Sequence, residues 1–290
     1  MSQQTSEEIL EMARREIAAR KAQAAEQRTP RESSWRYAFF GLLGGLVLGL
    51  VAWPGVPLDR KMYSMVHGVC AQIHNVQVGG VDLPLCARNT GIYSSFLISS
   101  LYLFALGRRR AAKLPPWPIT ILLIIFVVLM AVDGLNSMFV DMFLPHLYTP
   151  QNWLRTLTGI GMGTSIAVLL LLILNLSLRR DYDSEQRIIG TWLELAGALL
   201  INGLVWLAIY GNIGVLYWPV ALAAWLGITG VLFCVNLLLT ALFMRYEGTV
   251  TQAAQLVKPA TVALVITLIE LGALSAGRFW LEAQGFIVNG

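Results

Sequence analysis

Ile119-Thr-Ile-Leu-Leu-Ile-Ile-Phe-Val-Val-Leu-Met-Ala-Val-Asp133-Gly-Leu-Asn136 is the stretch that decides the fold. No charge interrupts it before Asp133, and apolar residues resume after Asn136 as far as 143. A membrane-crossing helix needs about 20 mostly apolar residues, whereas a transmembrane strand needs about 10 in alternation. The run does not alternate, so it predicts a helix. Six further apolar runs fall at 37–56, 90–106, 156–178, 188–209, 215–243 and 260–276. The sequence therefore predicts an all-α integral membrane protein with about seven transmembrane helices.

Composition agrees. The chain has 290 residues, of which 56% are hydrophobic and 13% charged, and its mean hydropathy is +0.64. Soluble domains carry roughly a quarter charged residues. These figures exclude a soluble globular enzyme, a disordered chain and a nucleic-acid-binding one.

The net charge of +4 is explained by position rather than by an acidic partner. Cytoplasmic flanks of membrane spans collect Lys and Arg. With the N-terminus inside, all but five of the 21 basic residues fall in inner segments, the exceptions being Arg60, Lys61, Arg88, Arg155 and Arg278. The expected orientation is N-terminus cytoplasmic and C-terminus exoplasmic, in a prokaryotic plasma membrane. The first apolar run starts too late for a cleavable signal peptide, so the first span is expected to be an uncleaved anchor. Three parts are expected: a cytoplasmic helix and linker over 1–36, a four-helix core over 37–178 with a long exoplasmic loop at 57–89, and three more helices over 179–290. Ser6 to Arg28 reads as the N-terminal helix, capped by Ser6 and rich in Ala, Glu, Lys and Arg.

The long outer loop carries Cys70, His74 and Cys86, with a Gly79-Gly80 turn between them. Two Cys in an oxidising compartment usually pair, which predicts a disulfide. A metal site is the second reading. Cys70 and His74 stand one helical turn apart, Cys86 would add a ligand and His67 a fourth, and zinc takes these residue types. A redox-active dithiol is the third reading, though the Cys-x-x-Cys spacing that lowers a thiol pKa is missing. Cys234, in the sixth span, reads as a small buried hydrophobe.

Asp133 lies about 21 Å from the inner end of its span at 1.5 Å per residue. That puts it in the outer third of the membrane. Asn136, three residues on, shares its face. Arg88 opens the second span, and Asn152 and Arg155 open the fourth. A carboxylate in the bilayer costs at least about 2.5 kcal/mol and is usually paired or lining a cavity. Arg88 or Arg155 is its natural partner. Cys70, His74, Cys86, Arg88, Asp133, Asn136, Asn152 and Arg155 are thus expected to meet in one exoplasmic pocket. That pocket reads either as a ligand site or as an ion pair locking spans together.

Four strings are distinctive: Cys70-Ala-Gln-Ile-His74, Leu83-Pro-Leu-Cys86-Ala-Arg88-Asn-Thr-Gly-Ile-Tyr93, Asp133-Gly-Leu-Asn136 and Asn152-Trp-Leu-Arg155-Thr-Leu-Thr-Gly159. Together they resemble the prokaryotic membrane family called domain of unknown function 2085, over residues 60–178. That family typically shows Cys-His-Gln where this chain has Cys70-Ala71-Gln72, and often a second Cys where Asn89 stands. The resemblance implies a topology and a shared pocket, but no reaction.

Elsewhere, Glu194 needs only a neighbouring hydrogen-bonding group near the inner surface. Glu270, mid-span in the seventh helix, reads as a protonated, hydrogen-bonded Glu or as a proton-coupling carboxylate. Asn202 and Asn236 suit interhelical hydrogen bonds. Gly159, Gly161 and Gly163 give the fourth span a small-residue face. No Walker loop, dinucleotide fingerprint, His-Glu-x-x-His or Gly-x-Ser-x-Gly motif occurs. No His lies mid-membrane to hold a haem, and no Lys lies in a span to form a retinal Schiff base. Two function classes remain. The first is a transporter-like or accessory subunit that binds a ligand or another membrane subunit. The second is an intramembrane enzyme acting on a lipid-linked substrate at the outer leaflet, with a metal on Cys70, His74 and Cys86 or with Asp133 as acid or base. The expected partners are the lipid bilayer and other membrane subunits, with no nucleic acid.

Overall fold

The computed structural model describes residues 8–9, 11–17, 19–20, 22–23, 34–70 and 74–285. The described residues between 8 and 23 are helical, while Ser6 and Arg28 lie outside the described residues. The long helices are α1 (Trp35–Ala52), α3 (Ala87–Ala105), α4 (Trp117–Asp141), α5 (Asn152–Leu178), α6 (Trp192–Tyr210), α7 (Tyr217–Phe243) and α8 (Val257–Ala283). A short helix, α2 (Leu58–Val66), follows α1. Proline marks one boundary: Pro116 caps α4, and Pro118 sits in its first turn, where a missing N–H costs nothing. The helix therefore opens at Trp117, two residues ahead of the apolar run.

The protein is an all-α membrane protein with two small sheets at its ends. At one end β1 (Asn75–Val78) and β2 (Val81–Cys86) form an antiparallel hairpin. Gly79 and Gly80 both adopt positive φ at its turn, as a tight hairpin requires. At the other end β3 (Ala111–Lys113) pairs in parallel with β4 (Asp183–Arg187).

Among the described residues, six helices are long and apolar enough to cross a membrane: α1 and α4 to α8. The exception is α3, and its packing explains why. It carries Thr90, Ser94, Ser95 and Ser99, all buried. It packs most extensively against α5, then α7, then α6. The serine and threonine hydroxyls bond to carbonyls of their own segment or across helices. Thr90 donates to the Leu85 carbonyl (3.0 Å), and Ser99 accepts from Asn202 Nδ2 (2.9 Å) on α6. The face of a helix that packs against other helices need not be apolar, because lipid does not reach that face.

The contacts around α3 are backbone-close. A Cβ at Gly163 would strike the Ile92 carbonyl and Ser95 Oγ, and one at Gly227 on α7 would strike the Tyr93 carbonyl. Gly159 likewise lies against the Arg88 carbonyl, whereas Gly161 turns to the Phe126 ring on α4. In contrast, α1 buries no residue and touches mainly α8.

Candidate functional site at the hairpin end

The hairpin seats the site. Its β1 strand leads from His74, whose carbonyl accepts from Ala87 N (2.9 Å), so the start of α3 is tied to the hairpin. Gly79 N donates to Asn212 Oδ1 (2.7 Å) beyond α6, and Tyr217 OH donates to the Asp82 carbonyl (3.3 Å). Asn152 Nδ2 donates to the Asn75 carbonyl (3.2 Å), fixing the start of α5 beneath β1.

Arg88, in the first turn of α3, reaches Asp133 on α4. Its Nη2 lies 2.6 Å and its Nε 3.2 Å from Asp133 Oδ2. The same Nη2 donates to the Asp133 carbonyl (3.1 Å) and to Ser137 Oγ (2.8 Å). The other Asp133 oxygen accepts from Tyr148 OH (2.8 Å). Asp133 is 1% exposed, and its neighbours offset the cost of burying a charge. Asn136 closes the loop that supplies Tyr148: its Oδ1 accepts from Leu147 N (2.7 Å) and its Nδ2 donates to the Tyr148 carbonyl (2.8 Å). Burial and the hydrogen bond to Asp133 push the Tyr148 phenol up to about 12.

Arg155 is buried at the start of α5, where Nη1 donates to Asn152 Oδ1 (2.8 Å) and Nε to Ser137 Oγ (3.4 Å). Next to it in the chain, Thr156 Oγ1 donates to the Ala87 carbonyl and meets Tyr210 OH (2.8 Å). Thus Arg88, Asp133, Asn136, Asn152 and Arg155 share one network. Tyr148 and Ser137 complete it, and neither stands out in the sequence. Ser137 had one available signal, its position four residues after Asp133 on the same helix face. Tyr148 sits in a proline-flanked loop and had none.

Cys70 and Cys86 bring their sulfurs to 2.6 Å, closer than van der Waals contact and short of a covalent bridge, which spans about 2.05 Å. The Cys86 thiol is raised well above its ordinary value by the contact with Cys70 and by burial. His74 Nε2 lies 3.4 Å from Asp141 Oδ1, within ion-pair distance but not aligned for a hydrogen bond. Burial, and then the nearby Arg155 charge, lower the His74 pKa.

His67 belongs to another set of contacts. Its Nε2 lies 2.9 Å from both oxygens of Glu282 at the end of α8, and its ring stacks on Phe279. Arg278 contacts Glu282 (2.7 Å) and the Cys70 carbonyl (2.5 Å). His67, Cys70, His74 and Cys86 therefore do not form a ligand shell. Among the described residues, no group of three or more His, Cys, Asp or Glu is placed to hold a metal ion.

The remaining intramembrane polar residues lie elsewhere. Glu270 accepts from Asn236 Nδ2 (2.8 Å), which also donates to Thr267 (3.0 Å). Glu194 pairs with Arg108 (2.5 Å) and accepts from Gly190 N (2.7 Å) at the arginine-rich end. Cys234 is half-buried.

No curated protein and no solved structure matches the chain. The stretch 70–169, which holds the hairpin, all of α3 and α4 and most of α5, does match a family model, and the network from Arg88 through Asp133 to Arg155 lies wholly inside it. The model that this region matches is described as "Predicted membrane protein (DUF2085)".

Proposed function

We propose that this chain is a transporter-like or accessory subunit of a prokaryotic plasma membrane, binding a small ligand at its outer face. In this reading the N-terminus is cytoplasmic, and the hairpin end faces outward. The ligand locus is the network of Arg88, Asp133, Asn136, Asn152 and Arg155. One observation carries the reading. Asp133 is sealed at 1% side-chain exposure, whereas its partner Arg88 keeps 21%. A guanidinium held by a sealed carboxylate yet still partly open can also meet an incoming group. Here the cationic half opens to the surface.

The test is a panel of small metabolites added to purified full-length protein in nanodiscs, read by the thermal midpoint. A compound class that raises the midpoint of the wild type, but not of a folded Asp133→Asn variant, supports the reading. Equal responses in both proteins, or none in either, overturn it.

The same orientation places Cys70 and Cys86 in an oxidising compartment, and the contact between their sulfurs supports a disulfide there. Counting thiols in unfolded, unreduced protein tests this. One reactive thiol, from Cys234, is expected, and three would overturn it.

A further inference from the structure

The arginines that reach into the body of the protein come with carboxylates. Arg88 has Asp133, Arg108 has Glu194, Arg179 has Asp181 and Arg278 has Glu282, each within 4 Å. Arg155 breaks the pattern. It is 5% exposed, and among the described residues no carboxylate lies within ion-pair distance of it. Its hydrogen-bond partners, Asn152 Oδ1 and Ser137 Oγ, are both neutral. A guanidinium has five N–H donors, so most of its capacity is unused.

Neither of the two nearby carboxylates bonds to Arg155. Asp133 is held by Arg88 and Tyr148. Asp141 lies 3.4 Å from His74 Nε2, not aligned for a hydrogen bond, and is 42% exposed. Ser137 Oγ also accepts from both Arg88 (2.8 Å) and Arg155 (3.4 Å), so two guanidiniums converge on one hydroxyl. Neutral acceptors do not balance a buried cation, whose desolvation costs several kcal/mol. Two further buried atoms, at and just before the start of β1, have no hydrogen-bond partner, Asn75 Oδ1 and His74 Nε2. Arg88, which shares Ser137 with Arg155, is 21% exposed.

We infer that Arg155, flanked by Arg88 and Asn152, binds a small oxyanion: a carboxylate or a phosphate group. The planar fork of arginine matches both groups bidentately. This rests on the ligand-site reading above and gives it a chemical class. The phosphate could belong to a free anion or to a lipid headgroup, and the experiment separates the two.

Full-length protein is reconstituted in phosphatidylcholine nanodiscs and titrated with inorganic phosphate or acetate at constant ionic strength. A saturable rise in thermal midpoint is expected in the wild type. It should vanish in Arg155→Gln and weaken at least tenfold in affinity in Asn152→Ala. If Arg155→Gln does not fold, Arg155→Lys takes its place, with the charge kept, the fork lost and the same tenfold weakening expected. A second arm uses nanodiscs containing phosphatidic acid. A raised midpoint there, with no further response to phosphate, assigns the site to a headgroup. The inference is overturned if neither anion nor phosphatidic acid stabilises the wild type, or if the Arg155 variants respond equally. Should a neutral or cationic compound in the metabolite panel stabilise the wild type but not Asp133→Asn, the ligand-site reading stands while the oxyanion inference falls.

Discussion

The two ends of the bundle handle charge in opposite ways. At the arginine-rich end, Arg108, Arg110, Arg179 and Lys113 meet Glu194, Asp181 and Glu185 within 3.0 Å. Several of these groups are well exposed, as with Lys113 at 41% and Glu185 at 83%. Four cations there share three carboxylates, and water screens the surplus. At the hairpin end Asp133 and Arg155 are more deeply buried, and among the described residues no carboxylate is bound to Arg155. Exposed pairs can be added or lost at little cost, whereas a buried imbalance is kept only at a loss of stability. Charge at the arginine-rich end therefore fits orientation and clamping, and charge at the hairpin end fits a site.

Mutations should sharpen that contrast. The largest effect is expected from Asp133→Ala, which strips Arg88 of its counter-charge and should cost about 3–5 kcal/mol. Thermal or denaturant unfolding in detergent measures it, and a loss below that of an exposed pair would erase the distinction between the ends. Next comes Cys86→Ser. If the two cysteines are bridged, opening a loop of about 15 residues should cost about 3 kcal/mol. Reductant should then lower the wild type to the level of the variant and leave the variant unchanged. Tyr148→Phe removes one hydrogen bond to a buried carboxylate and should cost about 1.5–3 kcal/mol.

The phenol also predicts a pH effect. Its folded pKa lies near 12, above its ordinary value of 10.0. The unfolded chain therefore loses the proton first, and the stability that Tyr148 contributes is present below pH 10 and lost as pH rises towards about 12. Tyr148→Phe should show a smaller alkaline decline than the wild type. The smallest effect is expected at the other end: Glu185→Gln should cost less than about 1 kcal/mol, and less still at high salt.

Much of the fold was legible because lipid imposes a strong rule on sequence. Runs such as 119–132 admit only a helix. Helix α3 was less plain, since its hydroxyls lower its hydropathy, and only tertiary enclosure by α5, α6 and α7 shows why they are tolerated. At the site, Asp133 and Asn136 were readable as one face because helical spacing is local information. The Arg88 partner was readable only as a matter of charge, as Arg155 was equally eligible. His67 shows the limit. Its spacing before Cys70 suggested a ligand, yet its contacts are with Phe279 and Glu282 some 215 residues away, and no local pattern encodes that. Tyr148 was silent for a related reason: its role depends on where a loop folds back, which Asn136 decides through hydrogen bonds to the loop's backbone.

The hydroxyl-rich face of α3 has a consequence for how the protein is made. This helix leaves the ribosome well before the helices that enclose it, for α5 begins at Asn152 and α7 at Tyr217. During that interval its serines and threonines face either lipid or the insertion machinery. Membrane retention of α3 should therefore depend on segments synthesised later, and chains truncated before α5 should hold it less securely than chains that include α7. Glycosylation-site mapping on truncated chains would read this directly. The helix packed by α5, α6 and α7 in the finished protein thus waits on segments made after it.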